Sequence, residues 1–173
     1  MVDPMMIISQ VGIRPTDSVA DFGAGSGAYT IPVARIAKEG KVYCVEVLKD
    51  LLTRVKNDAD KMHLSNIEYI WGDIERLGGT KIKDGVVDIV IIANVLFQVP
   101  SKQGLIGEAK RILKQGGRVL LVDWIDSFGG LGPQSGDIIS EDKAKQLFSD
   151  EGFSFDNKLS IKEHHYAIIF KKQ

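Results

Sequence analysis

The 173 residues suffice for one domain with a full hydrophobic core, and 44% hydrophobic with 26% charged is an ordinary globular balance. Lys and Arg number 22 against 23 Asp and Glu, and a net charge of −1 gives no electrostatic case for nucleic acid or a membrane surface. One cysteine, no basic and apolar leader and no run of roughly 18 apolar residues exclude a disulfide scaffold and a membrane span, so a cytoplasmic protein is expected.

Met5, Met6, Ile7 and Ile8 open the chain as an apolar helix expected to pack near the functional site. Short β-branched runs then recur at residues 18–22, 41–46, 67–71, 86–93 and 118–124. They are almost continuously apolar, as in strands covered on both faces. Between the second and third, Leu48, Leu51, Leu52, Val55, Ala59 and Met62 form one helical stripe; Leu105, Ile106, Ala109, Ile112 and Leu113 form another. Ser101 is positioned to cap the second helix, and Gly116 with Gly117 to end it. A shorter helix spans residues 142–150, with Ser140 as its cap and Gly152 as its stop. This alternation predicts a parallel sheet with right-handed crossovers. Residues 153–161 and 165–171 are strand-like, with Asn157 interrupting the first run. Only residues 162–164 separate them, too few for a crossover helix, so the pair is antiparallel.

The sharpest local signal is Asp21-Phe22-Gly23-Ala24-Gly25-Ser26-Gly27. A strand runs into three alternating glycines and then a helix, whose first turn must contain Pro32. Such glycines permit positive φ and close approach of backbone to a ligand, and the helix start favours a negative group. Gly23, Gly25 and Ala28 also satisfy the dinucleotide pattern. Glu46 ends the second strand about 20 residues further on, where an acid accepts from ribose hydroxyls. Asp73 closes the third strand on the same rim and is suited to accept from an adenine amino group. Asn94 and Phe97 follow the fourth strand beside the same crevice.

Taken in order, VADFGAGSG, VYCVEV, WGDI, DIVIIANVLFQV and RILKQGGRVLLVDW resemble the class I S-adenosylmethionine-dependent methyltransferases, of the small type 11-like kind. Asp150 to Phe153 and HHYAIIFKK resemble that family's last helix turn and closing strand pair. The resemblance implies an α/β fold: a Rossmann-like, mostly parallel seven-stranded sheet of order 3-2-1-4-5-7-6, strand 7 antiparallel, with helices on both faces. One domain would cover residues 1–173. S-adenosyl-L-methionine is the implied cofactor. By position, Asp21 orients the glycine turn and approaches the methionine amino group, and Gly23, Ala24, Gly25 and Gly27 lie along the methionine moiety. Glu46 takes the ribose diol, Val47 the adenine face, and Asp73 with the Ile74 backbone the adenine edge. Asn94 lies near the methionyl group through its carbonyl.

The chain departs from several branches. Asn94-Val95-Leu96-Phe97 lacks the two prolines of nucleic-acid amino-methyltransferases, and no His pair stands at Phe97 and Gln98. The methyl acceptor is therefore unassigned, with a small molecule expected, and oligomeric state is open. Phe97, Trp124 and His164 are the substrate-facing candidates. No catalytic base stands out, and no metal is expected, because His164 and His165 point to opposite faces of a strand. Residues 125–139, rich in glycine, leave the fifth strand on the functional rim and are expected to form part of the acceptor pocket or its lid. Two other functions are open: an NAD(P)-dependent oxidoreductase, which shares the first half of the pattern, and a non-catalytic S-adenosylmethionine-binding subunit, which keeps the cofactor fold and lends it to a partner. Against the first stands Asp21, where dinucleotide-binding strands usually run apolar into the first glycine.

Overall fold

The computed structural model describes residues 2–128, 130, 132–161 and 164–173. Gly129 and Leu131 of the long loop, and Lys162 and Glu163 of the last link, lie outside the described residues. In chain order the elements are α1 (Pro4–Val11), β1 (Val19–Phe22), α2 (Thr30–Ile36), β2 (Val42–Glu46), α3 (Lys49–Lys61), β3 (Ile67–Trp71) and β4 (Val87–Ala93). There follow α4 (Lys102–Ile112), β5 (Leu113–Trp124), α5 (Glu141–Asp150), β6 (Phe153–Lys158) and β7 (His165–Lys172).

The strands form one sheet of order β3-β2-β1-β4-β5-β7-β6. β1 to β5 pair in parallel, and β7 runs antiparallel to both β5 and β6. The expected order and the antiparallel closing pair are both present. Alternate strand residues feed two cores. Val19, Val42, Ile91, Leu120 and Ala167 pack with Ile7, Ile8 and Val11 of α1 and Val33 and Ala34 of α2. Phe22, Val45, Ile92, Leu121 and Phe170 pack on the other face with Leu105 and Ile106 of α4 and Phe148 of α5. Asp3, Ser101 and Ser140 cap α1, α4 and α5 by accepting from the amides of Met5, Gly104 and Lys143.

Three boundaries differ from the sequence reading by several residues: the end of α4, the start of β5 and the end of β6. α4 ends at Ile112, not at the glycine pair, because Leu113 turns extended and pairs with Val87. Gly116, at φ +72°, and Gly117 instead bend β5 before its main ladder starts at Arg118. A side chain at Gly117 would press within 2.9 Å of the Lys114 carbonyl. β6 stops at Lys158, and its register slips between Phe155 and Asn157, where the apolar alternation breaks.

One buried polar cluster fixes the segment after β3. The fully buried Glu108 on α4 accepts from the Gly78 amide (2.8 Å), the Thr80 amide and hydroxyl (3.2 and 2.5 Å) and Arg111 (2.6 and 2.8 Å). Burial opposes its charge, but the bonds from Arg111, Thr80 and Gly78 outweigh burial and hold its carboxyl below the usual range. Glu108→Ala is expected to cost about 3–5 kcal/mol of stability, as for a broken buried pair. Thr80→Val, which keeps the ion pair, should cost only about 1 kcal/mol. Denaturation midpoints of the two variants test this ranking; equal losses would refute it.

Candidate functional site

The carboxyl ends of β1, β2, β3 and β4 meet along one rim, where a parallel sheet places its ligand crevice. The glycine turn starts there. The Gly23 and Ala24 amides donate to the Val45 carbonyl at 3.0 and 3.1 Å, tying the turn to β2. Gly23 and Gly27 have no room for a side chain, since a Cβ would lie 2.8 Å from Val95 and 2.9 Å from Val55. Gly25, at φ +55°, is different: the nearest heavy atom to its Cβ position is the Gly23 carbonyl, 3.9 Å away. Packing therefore closes the turn at Gly23 and Gly27 and leaves open space beside Gly25, whose N–H is taken by Glu46. Ala24 is buried in a small cluster with Cys44, Leu52 and Val55.

Two carboxylates hold this turn. Asp21 is buried and accepts from the Thr30 hydroxyl at 2.6 Å, joining β1 to the first residue of α2. Burial pushes its carboxyl up to about 6; the Thr30 bonds oppose the shift and the nearby Glu46 charge adds to it. Glu46 accepts from Gly25 N–H at 2.9 Å through Oε2, and from the Val47 and Leu48 amides at 2.9 and 3.2 Å through Oε1. The partner of Asp21 is Thr30, which the sequence reading did not single out.

Beyond Glu46 the crevice opens into a cleft of about 520 Å³ lined by Val47, Trp71, Gly72, Asp73, Leu77 and Lys81. Val47 is 54% exposed, and its carbonyl accepts from Trp71 Nε1 at 2.8 Å. Asp73 Oδ1 accepts from the Glu75 amide at 2.9 Å, which sets the turn after β3. Ile74 is buried, with Cδ1 3.8 Å from the Cβ position of Gly23, so it floors the glycine turn.

Asn94 follows β4 at φ +58°, in the left-handed region that few non-glycine residues adopt. Its amide donates to the Val122 carbonyl at 2.8 Å, and its carbonyl accepts from Gln98 Nε2 at 2.9 Å. The side-chain Oδ1 is buried without a hydrogen-bond partner among the described residues. Such an orphan costs about 1–3 kcal/mol, so the crevice holds a polar atom suited to a ligand. It is the side chain of Asn94, not the carbonyl expected from the resemblance, that is unsatisfied.

The β5 side of the rim is aromatic. Asp123, missed in the sequence reading, is buried; Oδ2 accepts from the Phe97 amide (3.2 Å) and Oδ1 from the Trp124 amide (2.8 Å). Burial raises its carboxyl to about 6, against the pull of those amides and of Lys102. It locks the turn carrying Phe97 to the end of β5. An acid between Val122 and Trp124, inside an apolar run, was the available signal. Phe97 and Trp124 are half-buried, and the Trp124 ring lies 4.0 Å from the His165 ring. Gly132 packs on Trp124: a Cβ there would fall 2.7 Å from the indole. The long loop thus folds back over Trp124, and Tyr166 holds its far end by donating to the Ile139 carbonyl at 2.9 Å. His164 is half-buried, bonded to Asp126 and stacked on Phe128. α1, expected to pack near the functional site, lies beside the helix that follows the glycine turn. It packs against α2, with Ile7 and Ile8 in the core and Met5 and Met6 exposed.

Residues 20–121 match the family model described as a methyltransferase domain. The chain is 33% identical over 116 residues to the ubiquinone/menaquinone biosynthesis C-methyltransferase UbiE of Teredinibacter turnerae, across 65% of this chain and 45% of that protein. It therefore spans about half the length of the curated relatives it matches. A putative type 11 methyltransferase from Sulfolobus solfataricus superposes with a TM-score of 0.74 at 27% identity, over 91% of this chain and 85% of that one. A SAM-dependent methyltransferase from Aquifex aeolicus gives 0.88 at 20% identity, over 99% and 90%, a likeness of fold. With the match running from the first strand through most of the fifth, the chain belongs to the methyltransferase domain family.

Proposed function

We propose that the protein transfers the methyl group of S-adenosylmethionine to a small-molecule acceptor, and that residues 1–173 act as one domain. The observation that carries this reading is the convergence on one rim of three features: a glycine turn with open space beside Gly25, Glu46 bonded to the Gly25 amide, and the orphaned Asn94 Oδ1. These residues fit the group. Gly23, Ala24, Gly25 and Gly27 serve its methionine moiety, with Asp21 and Asn94 at its charged end. Glu46 serves the ribose hydroxyls, and Val47, Asp73 and Ile74 the adenine. When bound, the group supplies a methyl already activated on a positively charged sulfur.

The chain's own work is then positioning and exclusion of water. Asp21 and Glu46 hold the turn and present negative charge toward a cationic ligand. Asp123 fixes Phe97 beside Trp124, and loop 125–139 covers Trp124, which supports an apolar acceptor pocket between the β4 and β5 ends. No helix among the described residues is long and apolar enough to cross a membrane. A cytoplasmic setting suits the lone, buried Cys44.

Calorimetry with S-adenosylhomocysteine and with NAD tests the reading. Binding of the first and none of the second is expected. Tight NAD binding with no response to S-adenosylhomocysteine would replace methyl transfer by hydride transfer as the reading of this site.

A further inference from the structure

Two loops that are far apart in sequence meet at the β5–β7 end of the rim. His164 precedes β7 and Asp126 follows β5, and His164 Nδ1 lies 2.7 Å from Asp126 Oδ1. An ionised carboxylate only accepts, so Nδ1 carries the proton and Nε2 is left with its lone pair. Nε2 makes no hydrogen bond among the described residues. The ring is held in place from two further directions. Phe128 stacks on it with centroids 4.1 Å apart and planes 22° from parallel, and the Ile125 amide donates to the His164 carbonyl at 2.7 Å. His164 sits at φ +60°, a conformation costly for a histidine and found where surrounding contacts enforce it. A base, an orienting carboxylate and a locked ring form the constellation of an activated proton acceptor. The imidazole side chain is 29% exposed, open enough to return a proton to water.

We infer that Asp126 and His164 form the general-base dyad of this methyltransferase and that its acceptor is a hydroxylated aromatic ring. The inference rests on the methyl-transfer reading above. Acceptor chemistry selects the class. A neutral amine attacks through its own lone pair and sheds its proton later, and a thiol ionises readily unaided. A phenolic hydroxyl is a poor nucleophile until deprotonated, and so is a ring carbon beside such a hydroxyl. The surroundings select the shape: Phe128 and Ile125 are exposed beside the imidazole, and Trp124 lies next along β5. A flat ring is the partner such faces take. In the step, the acceptor O–H proton passes to His164 Nε2 and the acceptor oxygen forms the new bond to the methyl; where the ring carbon it activates attacks instead, that carbon's C–H proton then moves to the oxygen and restores the aromatic hydroxyl. The methyl–sulfur bond breaks, its electron pair stays on sulfur, and the positive charge ends on the imidazolium beside Asp126. Nothing else is consumed. Asp126 is a positioning residue; His164 is the group that touches the acceptor.

The test uses the full chain, radiolabelled S-adenosylmethionine and two phenols: 4-methoxyphenol, which stays protonated at mildly alkaline pH, and 4-nitrophenol, which is largely ionised there. His164→Gln is expected to lose about 100-fold in turnover of 4-methoxyphenol, as for removal of a general base, with little loss on 4-nitrophenol. Asp126→Asn, which keeps the shape of the loop, should show the same selectivity with a loss of roughly 10-fold, the low end for a group acting through another. Affinity for S-adenosylhomocysteine should be unchanged in both. Equal losses on the two phenols would make His164 a wall of the pocket and overturn the dyad. A wild-type protein that binds S-adenosylhomocysteine yet methylates neither phenol on oxygen or carbon would overturn it too, while leaving the cofactor reading intact. Failure to bind S-adenosylhomocysteine would defeat that underlying reading instead, and the dyad with it.

Discussion

Replacing Glu46 by alanine is expected to weaken S-adenosylhomocysteine binding by about 100- to 10,000-fold. Two hydrogen bonds to a charged acceptor are each worth about 1.5–3 kcal/mol, and about 1.4 kcal/mol is tenfold in affinity. Sequence alone predicts an effect on binding with the fold untouched. The structure adds a second consequence. The same carboxylate accepts from the amides of Gly25, Val47 and Leu48 in a nearly buried corner. Its loss strands those donors, at about 1–3 kcal/mol for each that stays dry, so the denaturation midpoint should fall as well. Glu46→Gln keeps one oxygen to accept with and should lie between wild type and alanine on both measures. Calorimetry and thermal denaturation of the two variants separate the effects. A lowered midpoint with unchanged affinity would show that Glu46 only holds the turn.

What was legible in the sequence was what local rules dictate. Near-continuous apolar runs with helical stripes between them imposed a doubly covered parallel sheet, and the link of residues 162–164 forced the closing pair antiparallel. Pro32 confined the start of α2, which begins at Thr30. Asn157 marked the slip in β6. The glycine pair 116–117 misled because a glycine after a helical stripe is usually its stop. There the stop came from strand pairing at Leu113 instead.

The contacts that shape the proposed acceptor side were not legible, and for a common reason. Asp123 finds the Phe97 amide 26 positions away, and Asp126 meets His164 at a separation of 38. No periodicity encodes either meeting. Each depends on β4, β5 and β7 lying side by side, so that loops leaving neighbouring strand ends face one another. The proposed cofactor side is read from one strand-turn-helix and two strand ends. The proposed acceptor side is assembled from loops, and the reading of its chemistry needs the sheet order that places them.

Asp21→Asn is expected to make the protein more stable near neutral pH and poorer at holding a cationic ligand. Asp21 is 3% exposed, and burial lifts its carboxyl from 3.8 to about 6, with the Thr30 bonds opposing and Glu46 assisting. The folded state therefore holds this proton more tightly than the unfolded chain does. The stability this contributes is complete below the unfolded value of about 3.9 and is lost as pH rises through about 6. At about 1.4 kcal/mol per pH unit the site gives up roughly 3 kcal/mol across that window. Asp123, also lifted to about 6 chiefly by burial, adds a loss of the same sign in the same window. Asparagine does not titrate, yet retains an oxygen for the Thr30 hydroxyl, 2.6 Å from the carboxylate it replaces. The variant should thus match wild type near pH 4 and exceed it near pH 7 by up to about 3 kcal/mol. A buried charge that weakens the fold at working pH is kept where a positive partner repays it. Binding of S-adenosylmethionine, cationic at sulfur and at its amino group, should accordingly fall at least tenfold in the variant, about 1.4 kcal/mol for one charge contact. Denaturation at the two pH values, with calorimetry at the higher one, reads all three quantities. A variant destabilised equally at both would show that Asp21 serves the fold through its bond to Thr30 and that its charge is incidental.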